Sequence, residues 1–390
     1  MSPPSVLFYA QHLQGVGHLI RAARIAKAMT TAGLDVDLVS GGMPVPGLDK
    51  GDARLHQLPP LQCPDGDFTN LRDERGELAG DAFIDQRRDA LLTLLRERRP
   101  AALVIEAFPF GRRRMRFELT PLLAEAASAD PKPVIACSVR DILQADKKPG
   151  RAAETVAAVN DYFDAVLVHG DPGFAAFEET FPGAGEIAGK LHYTGLVAGP
   201  APGPGPDRPA PDRPERGVLV SAGGGATESE KLLRAALAAR PLSSLGDRPW
   251  RLLAGPNLPE GEFAALAAGA ADTTGGVTVE PNRDDFPQLL AGCAVSVSQA
   301  GYNTAAALLR ARCRAVVVPY STGGETEQTF RAKRMQKRGL AHVVPDTDLA
   351  PETLAAAIDA AFVAPAPAPP DIAFDGAETS ARLVASWLAA

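Results

Sequence analysis

Four short stretches place reactive or ligand-holding residue types where a strand hands over to a helix. The first is QHLQGVGHLIRAARIAKAM, residues 11–29, directly after the apolar run SVLFYA. Gly15 and Gly17 let the chain turn sharply and leave backbone N–H groups at a helix start. His18 falls in the first turn, where the positive end of the helix dipole disfavours an imidazolium. A neutral imidazole accepts a proton near neutral pH, which is the property of a general base. Arg21, one turn later on the same face, is placed to hold an anion, and His12 lies beside the same turn. The spacing is not a dinucleotide fingerprint, because Ile20 stands where Gly-x-Gly-x-x-Gly/Ala needs a small residue.

The second stretch, VLVSAGGGATESEKLL (218–233), runs from strand through Gly223, Gly224 and Gly225 into a helix. Such a turn is a cradle of amide N–H groups for phosphate, with Thr227 placed to cap the helix or bond a phosphate oxygen. It lacks the Gly-Lys-Ser/Thr of a nucleoside triphosphatase loop. The third, SVSQAGYNTAAALL (296–309), sets Gln299, Gly301, Asn303 and Thr304 at another positive helix end. The fourth, VVVPYSTGGETEQTFRAKRM (316–335), ends a strand at Pro319 and passes through Gly323-Gly324 into a helix expected from about Glu325. Glu327 and Gln328 sit in its first turn, and an acid beside an amide suits the hydroxyls of a polyol. Glu325 also fits the plain preference for acids at helix starts.

Other titratable residues carry two readings each. Asp141, after the strand PVIACSV, is a second candidate base, or else a helix cap or the partner of Arg140. His169 ends the strand DAVLVHG and is expected at a ligand-facing edge. Arg112, Arg113, Arg114 and Arg116 suit either an anionic acceptor or lipid surface, or a solvated loop. Asp35-Val36-Asp37 mimics a metal-binding Asp-x-Asp but lies on a strand, so no metal site is expected there. His56, His192 and His342 read as packing or surface histidines.

These residues need a scaffold of strand tips. Short apolar, β-branched runs alternate with longer amphipathic stretches along the whole chain, the pattern of parallel sheets covered on both faces by helices. Helices are expected over 21–32, 84–98, 151–163, 228–240, 302–311 and 325–338. The fold class is α/β, with two Rossmann-like domains facing across a cleft. Residues 1–198 form the first domain, and 199–215, dense in Pro and Gly, form a linker that neither sheet nor helix tolerates. Residues 216–363 form the second domain. A Pro-rich segment and a C-terminal helix, able to pack on either domain, occupy 364–390. Open parallel sheets bind ligands beyond the carboxyl ends of their strands, where the unusual residues fall.

The totals exclude several classes. The chain has 390 residues with a net charge of −7, so nothing favours nucleic acid as a partner. Cys63, Cys137, Cys293 and Cys313 form no CxxC pair and are expected as reduced thiols in the cytoplasm. The N-terminus does not read as a signal peptide, and no apolar run reaches the length of a membrane span. Peripheral membrane contact and oligomeric state are not decided by these patterns.

The order Gly-x-Gly-His, glycine-rich loop, SQAGYNT and VPYSTGGETEQ resembles the two-Rossmann, GT-B type glycosyltransferases. It is similar to the lipid II-forming N-acetylglucosaminyltransferase family and to a bacterial branch of predicted glycosyltransferases. The resemblance implies metal-independent, inverting transfer from a nucleotide-sugar, expected to be a UDP-sugar, to a hydroxyl acceptor. No cofactor is implied. The N-domain histidine near the reacting centre corresponds to His18 and the sugar-contacting pair to Glu327 and Gln328. The base-binding segment corresponds to VEPNRDDF, with Asn282 and Arg283. The family's ribose-binding glutamate falls at Ala307, and Glu325 is the acid offered in its place. GVGHLIR also resembles the turn of a nucleotide-sugar hydrolase of the same fold. A hydrolase, an epimerase and a non-catalytic nucleotide-sugar binder are therefore the alternatives.

Overall fold

The computed structural model describes residues 3–63, 70–145, 149–201, 216–223, 226–255, 257–271 and 276–389, with the side chains of 226–228 left out. The chain forms two units, Met1–Val197 with Ile372–Ala390, and Ala198–Asp371. Most of the expected linker, 202–215, lies outside the described residues.

In the first unit the strands are β1 (Ser5–Ala10), β2 (Asp35–Ser40), β3 (Arg54–Gln57), β4 (Ala102–Glu106), β5 (Val134–Arg140), β6 (Ala165–His169) and β7 (Leu191–Tyr193). They pair in parallel in the order β3-β2-β1-β4-β5-β6-β7. The connecting helices include α1 (Gly17–Thr31), α2 (Asp81–Arg98), α3 (Arg116–Ala127) and α4 (Arg151–Tyr162). α1 starts four residues before the expected Arg21, at the glycine turn itself, so His18 is its second residue. Its buried positions Leu19, Ala22, Ala23, Ile25, Ala26 and Met29 follow the helical repeat and face the sheet.

The second unit repeats the plan with β8 (Val218–Ser221), α5 (Ala226–Ala239), β9 (Trp250–Ala254), α6 (Glu260–Ala271), β10 (Val277–Pro281), α7 (Phe286–Gly292) and β11 (Val295–Ser298). It continues with α8 (Tyr302–Ala311), β12 (Ala315–Val317), α9 (Glu327–Lys337), β13 (His342–Val343) and α10 (Pro351–Val363). The parallel order is β10-β9-β8-β11-β12-β13, the doubly wound arrangement again. α9 begins two residues after the expected Glu325, which stays outside the helix.

The chain then returns to the first unit. α11 (Gly376–Ala389) packs on α1, with Ala377, Ala381 and Val384 in the cluster that holds Leu19, Ala22 and Ala26. Leu196 N–H donates to Ala373 O at 2.8 Å and fastens the returning segment beside the first unit's exit. Small side chains on both helices permit this close approach. Among the described residues no helix is long and apolar enough to cross a membrane.

Under the carboxyl end of β1 lies a buried ionic knot. The Arg87 side chain of α2 donates to Glu118 Oε2 of α3 at 2.6 Å and to Gly41 O at 2.7 Å. Tyr9 Oη donates to Glu118, and the third Arg87 nitrogen, Nη2, donates to Gln11 Oε1. Arg87 and Glu118 are both fully buried, so each charge depends on the other. Arg87→Ala would leave Glu118 uncompensated, a loss of roughly 3–5 kcal/mol. Urea unfolding, followed on the transition of the first unit, should show a midpoint lowered accordingly. A midpoint within error of wild type would mean the knot holds nothing together.

Candidate functional site

In the first unit the strand order reverses between β1 and β4, so the loops leaving their carboxyl ends diverge and open a crevice. His18 stands on one side of that point and Glu106, the last residue of β4, on the other. His18 Nδ1 is 2.9 Å from Glu106 Oε1, and Arg21 pairs with the same oxygen. A carboxylate oxygen only accepts, so Nδ1 carries the ring proton. The 3.2 Å approach of Arg21 Nη2 to that nitrogen follows from both groups sharing Oε1. Nε2 is then the basic nitrogen, and it has no hydrogen-bond partner among the described residues. The His18 side chain is 15% exposed while Glu106 is fully buried.

Burial is the first reason that His18 is held well below the ordinary histidine range; the guanidiniums of Arg112, Arg21 and Arg140 and the ring of His12 add to it. Glu106, already balanced by Arg21, does not reverse this. The ring is therefore neutral near pH 7. An oriented neutral imidazole with its outer nitrogen open is built to take a proton from a hydroxyl.

The arginine run divides. Arg112 turns back toward the crevice, its Nε donating to Gln11 O at 2.8 Å, and its backbone takes a φ of 56° in the left-handed region. Burial and Arg140 bring its pKa down to about 10. Arg113 and Arg116 instead bind Glu154 at 2.8 and 2.9 Å, so neither reading covers the whole run. His12 is buried and donates from Nε2 to Met43 O at 3.0 Å, holding the loop after β2. Asp141 is fully buried and takes the N–H of Ile142 at 2.9 Å, the hydrogen bond of a local turn. His169 corrects its expectation: it is fully buried among side chains, not at an edge. Arg54, His56 and Arg98 take the Asp37 carboxylate at 2.9, 2.7 and 2.7 Å, which makes the Asp-x-Asp mimic part of an ion cluster. Among the described residues no three His, Cys, Asp or Glu side chains are grouped to hold a metal.

In the second unit the reversal falls between β8 and β11. Gln299 Oε1 accepts the N–H of Gly223 at 3.1 Å and ties the two loops together. A Cβ at position 223 would run into that oxygen, so the contact requires glycine. Gln328 Oε1 accepts from Ala300 N at 3.1 Å and Tyr320 N at 3.2 Å, joining α9 to both neighbouring loops. Its amide nitrogen has no partner among the described residues and remains a donor for a ligand hydroxyl. Gly323 and Gly324, with φ of 69° and 77°, make the turn that brings α9 there. Gly301 caps α8, and Asn303 and Thr304 lie in its first turn, where backbone N–H groups point along the helix axis.

Other expected donor-side residues have work inside the fold. The Glu325 carboxylate accepts from Glu327 N at 2.6 Å and Gln328 N at 3.2 Å, capping α9. Glu327 is buried and bound to Arg331 at 2.8 Å, while Arg331 also donates to Ala300 O at 2.9 Å. Glu327 thus props the turn that Gln328 occupies. Arg283 is gripped by Asp285 at 2.7 Å and Glu280 at 2.9 Å, and Asn282 beside it is exposed. Gly224, Gly225 and the side chain of Thr227 lie outside the described residues.

Residues 219–375 match the glycosyltransferase family 28 C-terminal domain. A curated relative from Rhodospirillum centenum is UDP-N-acetylglucosamine–N-acetylmuramyl-(pentapeptide) pyrophosphoryl-undecaprenol N-acetylglucosamine transferase. It is 33% identical over 93 residues, 24% of this chain, and the alignment spans 24% of the relative's own length. The crystal structure of MurG from Acinetobacter baumannii superposes with a TM-score of 0.61 at 15% identity, covering 98% of this chain and all of that one. The glycosyltransferase SsfS6 of Streptomyces sp. SF2575, complexed with thymidine diphosphate, gives a TM-score of 0.58 at 14% identity, over 99% of this chain and 96% of that one. These likenesses show a GT-B fold of two Rossmann-like domains.

Three histidines of the first unit, His12 and His169 buried and His18 half-buried, have a consequence for stability. His12 is pushed down by burial to about 4, His169 to about 3, and His18 in the same direction. Between those values and about 6.5 the unfolded chain binds more protons than the folded one, so stability falls with falling pH. Each histidine contributes a slope of roughly 1.4 kcal/mol per pH unit inside its window. Stability should be full above about pH 6.5 and decline toward pH 4. Denaturant unfolding at pH 7, 6 and 5 checks this, and a flat profile would contradict it.

Proposed function

We propose that this chain, whose second unit carries a glycosyltransferase family 28 C-terminal domain in a GT-B fold, transfers a sugar from a nucleotide-sugar to a hydroxyl acceptor. The observation that carries the reading is His18: neutral, oriented through Nδ1 by Glu106, and open at Nε2. His18 Nε2 takes the acceptor's hydroxyl proton as the acceptor oxygen forms its bond to the anomeric carbon. The bond from that carbon to the diphosphate oxygen breaks on the opposite face, and the configuration inverts.

The charge left on the diphosphate meets backbone N–H groups. Candidates are the first-turn amides of α8, with Gly223 N–H already committed to Gln299. The amide nitrogen of Gln328 is the donor we assign to a sugar hydroxyl. Dipoles of this kind need no metal ion.

UDP is the nucleotide we put first, because the name of the Rhodospirillum centenum relative specifies UDP-N-acetylglucosamine. The ribose contact that the resemblance assigns to a glutamate has alanine at its place, Ala307, and Glu325 is occupied in capping α9. Nucleotide choice therefore has to be read by assay.

The test is a panel of UDP-, dTDP- and GDP-sugars, with and without acceptor alcohols, in the presence of a chelator. Acceptor-dependent product of inverted anomeric configuration is expected to form with the chelator present. His18→Ala should lower turnover roughly 10²–10⁴-fold while donor binding stays near wild type. Undiminished turnover removes His18 from the reaction, and loss of turnover on chelation removes the metal-free mechanism. Free sugar released without acceptor would make water the nucleophile and the protein a hydrolase.

A further inference from the structure

Behind Glu106 runs a line of side chains that the reaction above does not use. Glu106 and Ser138 are register partners on the adjacent parallel strands β4 and β5, so their side chains share a face of the sheet. Ser138 Oγ is hydrogen-bonded to Glu106 Oε2 and lies 2.7 Å from His169 Nε2. His169, the last residue of β6, has its Nδ1 2.9 Å from Thr194 Oγ1, one residue beyond β7. Glu106, Ser138 and His169 are fully buried, and Thr194 is 2% exposed. The line therefore crosses four neighbouring strand tips without water between its members.

Counting protons gives the line a direction. Ser138 has one hydroxyl proton and two groups to serve. An ionised Glu106, beside Arg21, can only accept at Oε2, so Ser138 donates to it. Ser138 Oγ must then accept from His169, which places the ring proton on Nε2. Nδ1 is left with its lone pair and takes the Thr194 hydroxyl proton. An uncharged group at position 106 that donates to Ser138 reverses every bond. Ser138 would then donate to His169 Nε2, the ring proton would sit on Nδ1, and Thr194 would turn its hydroxyl to Gly195 O at 3.0 Å. The two arrangements differ in the tautomer of His169.

We propose that Thr194, His169 and Ser138 form a one-way chain of donors that holds the Glu106 carboxylate turned toward His18. Ser138 and His169 are then positioning residues for the base. This rests on the role given above to His18, but its first test does not. The donor aimed at Oε2 fixes the carboxylate's orientation, and the carboxylate so fixed holds Nδ1–H of His18 so that Nε2 stays the open nitrogen. Burial keeps the His169 imidazole neutral, at about 3, so the ring passes orientation along without adding a charge.

The experiment is nitrogen-15 NMR of the histidine rings in the intact chain. Wild-type protein should show His169 protonated on Nε2 with a bare Nδ1. In Glu106→Gln, Arg21 claims the amide oxygen, the amide nitrogen faces Ser138, and the His169 proton should move to Nδ1. A proton on Nδ1 in wild type, or one tautomer in both proteins, overturns the proposal. Kinetics supply the second arm. Ser138→Ala should lower kcat by about 10–100-fold, the scale on which outer partners of metal-bound histidines act, with donor KM unchanged. An unchanged kcat overturns the positioning role. Should the tautomers behave as stated while no nucleotide-sugar is turned over, the chain of donors stands and the glycosyl-transfer reading falls.

Discussion

A carboxylate away from water is costly unless the fold supplies its hydrogen bonds and its counter-charge. Glu106 is such a group, and the tip of the first unit is arranged around it. Arg21 supplies the charge, His18 and Ser138 supply donors, and all of them are set by backbone geometry. His18 and Arg21 are three residues apart on α1, so one helix face delivers both to the same oxygen. That works only if α1 starts at Gly17, since a later start would carry His18 out of the helix. Ser138 arrives because β5 pairs with β4 in a register that sets it directly beside Glu106.

The residues legible in the sequence were those whose chemistry is local. His18 and Arg21 follow a glycine turn that announces a helix start, and both were read from that turn alone. Glu106 was not read. It ends an apolar run, AALVIEAF, and its partner His18 is 88 residues away. What joins them is strand order: β4 lies beside β1 although α1, β2, β3 and α2 intervene in sequence. The available signal was an acid flush against the carboxyl end of a buried run, a place where an unpaired charge would not be tolerated.

The strands divide in the same way. Apolar runs such as SVLFYA, PVIACSV and DAVLVHG correspond to β1, β5 and β6, inner strands covered well enough to need continuous apolar residues. β3, β7 and β13 were missed. β3 and β7 are the outer strands of one sheet and β13 is an outer strand of the other. RLHQ, LHY and HV are mostly half-buried or exposed, so they carry no hydrophobic run to find. Tertiary pairing, not local preference, makes them strands.

The two units use their reversal points differently. In the second, neutral amides and glycines lash loops together, and Gln299, Gln328, Glu325 and Glu327 spend much of their bonding capacity on backbone or on Arg331. In the first, burial and the several cations around one acid weaken His18 as a base while keeping it neutral. A base works best when its pKa is near the working pH, and burial with these cations holds His18 below that optimum. Under the proposed reaction an anionic substrate partly cancels Arg112 and Arg140, two of the charges that depress His18. Cancelling them moves the imidazole back toward the neutral range. The strength of the base is then supplied on binding, and proton abstraction is favoured in the state that holds a substrate to receive the resulting oxygen nucleophile.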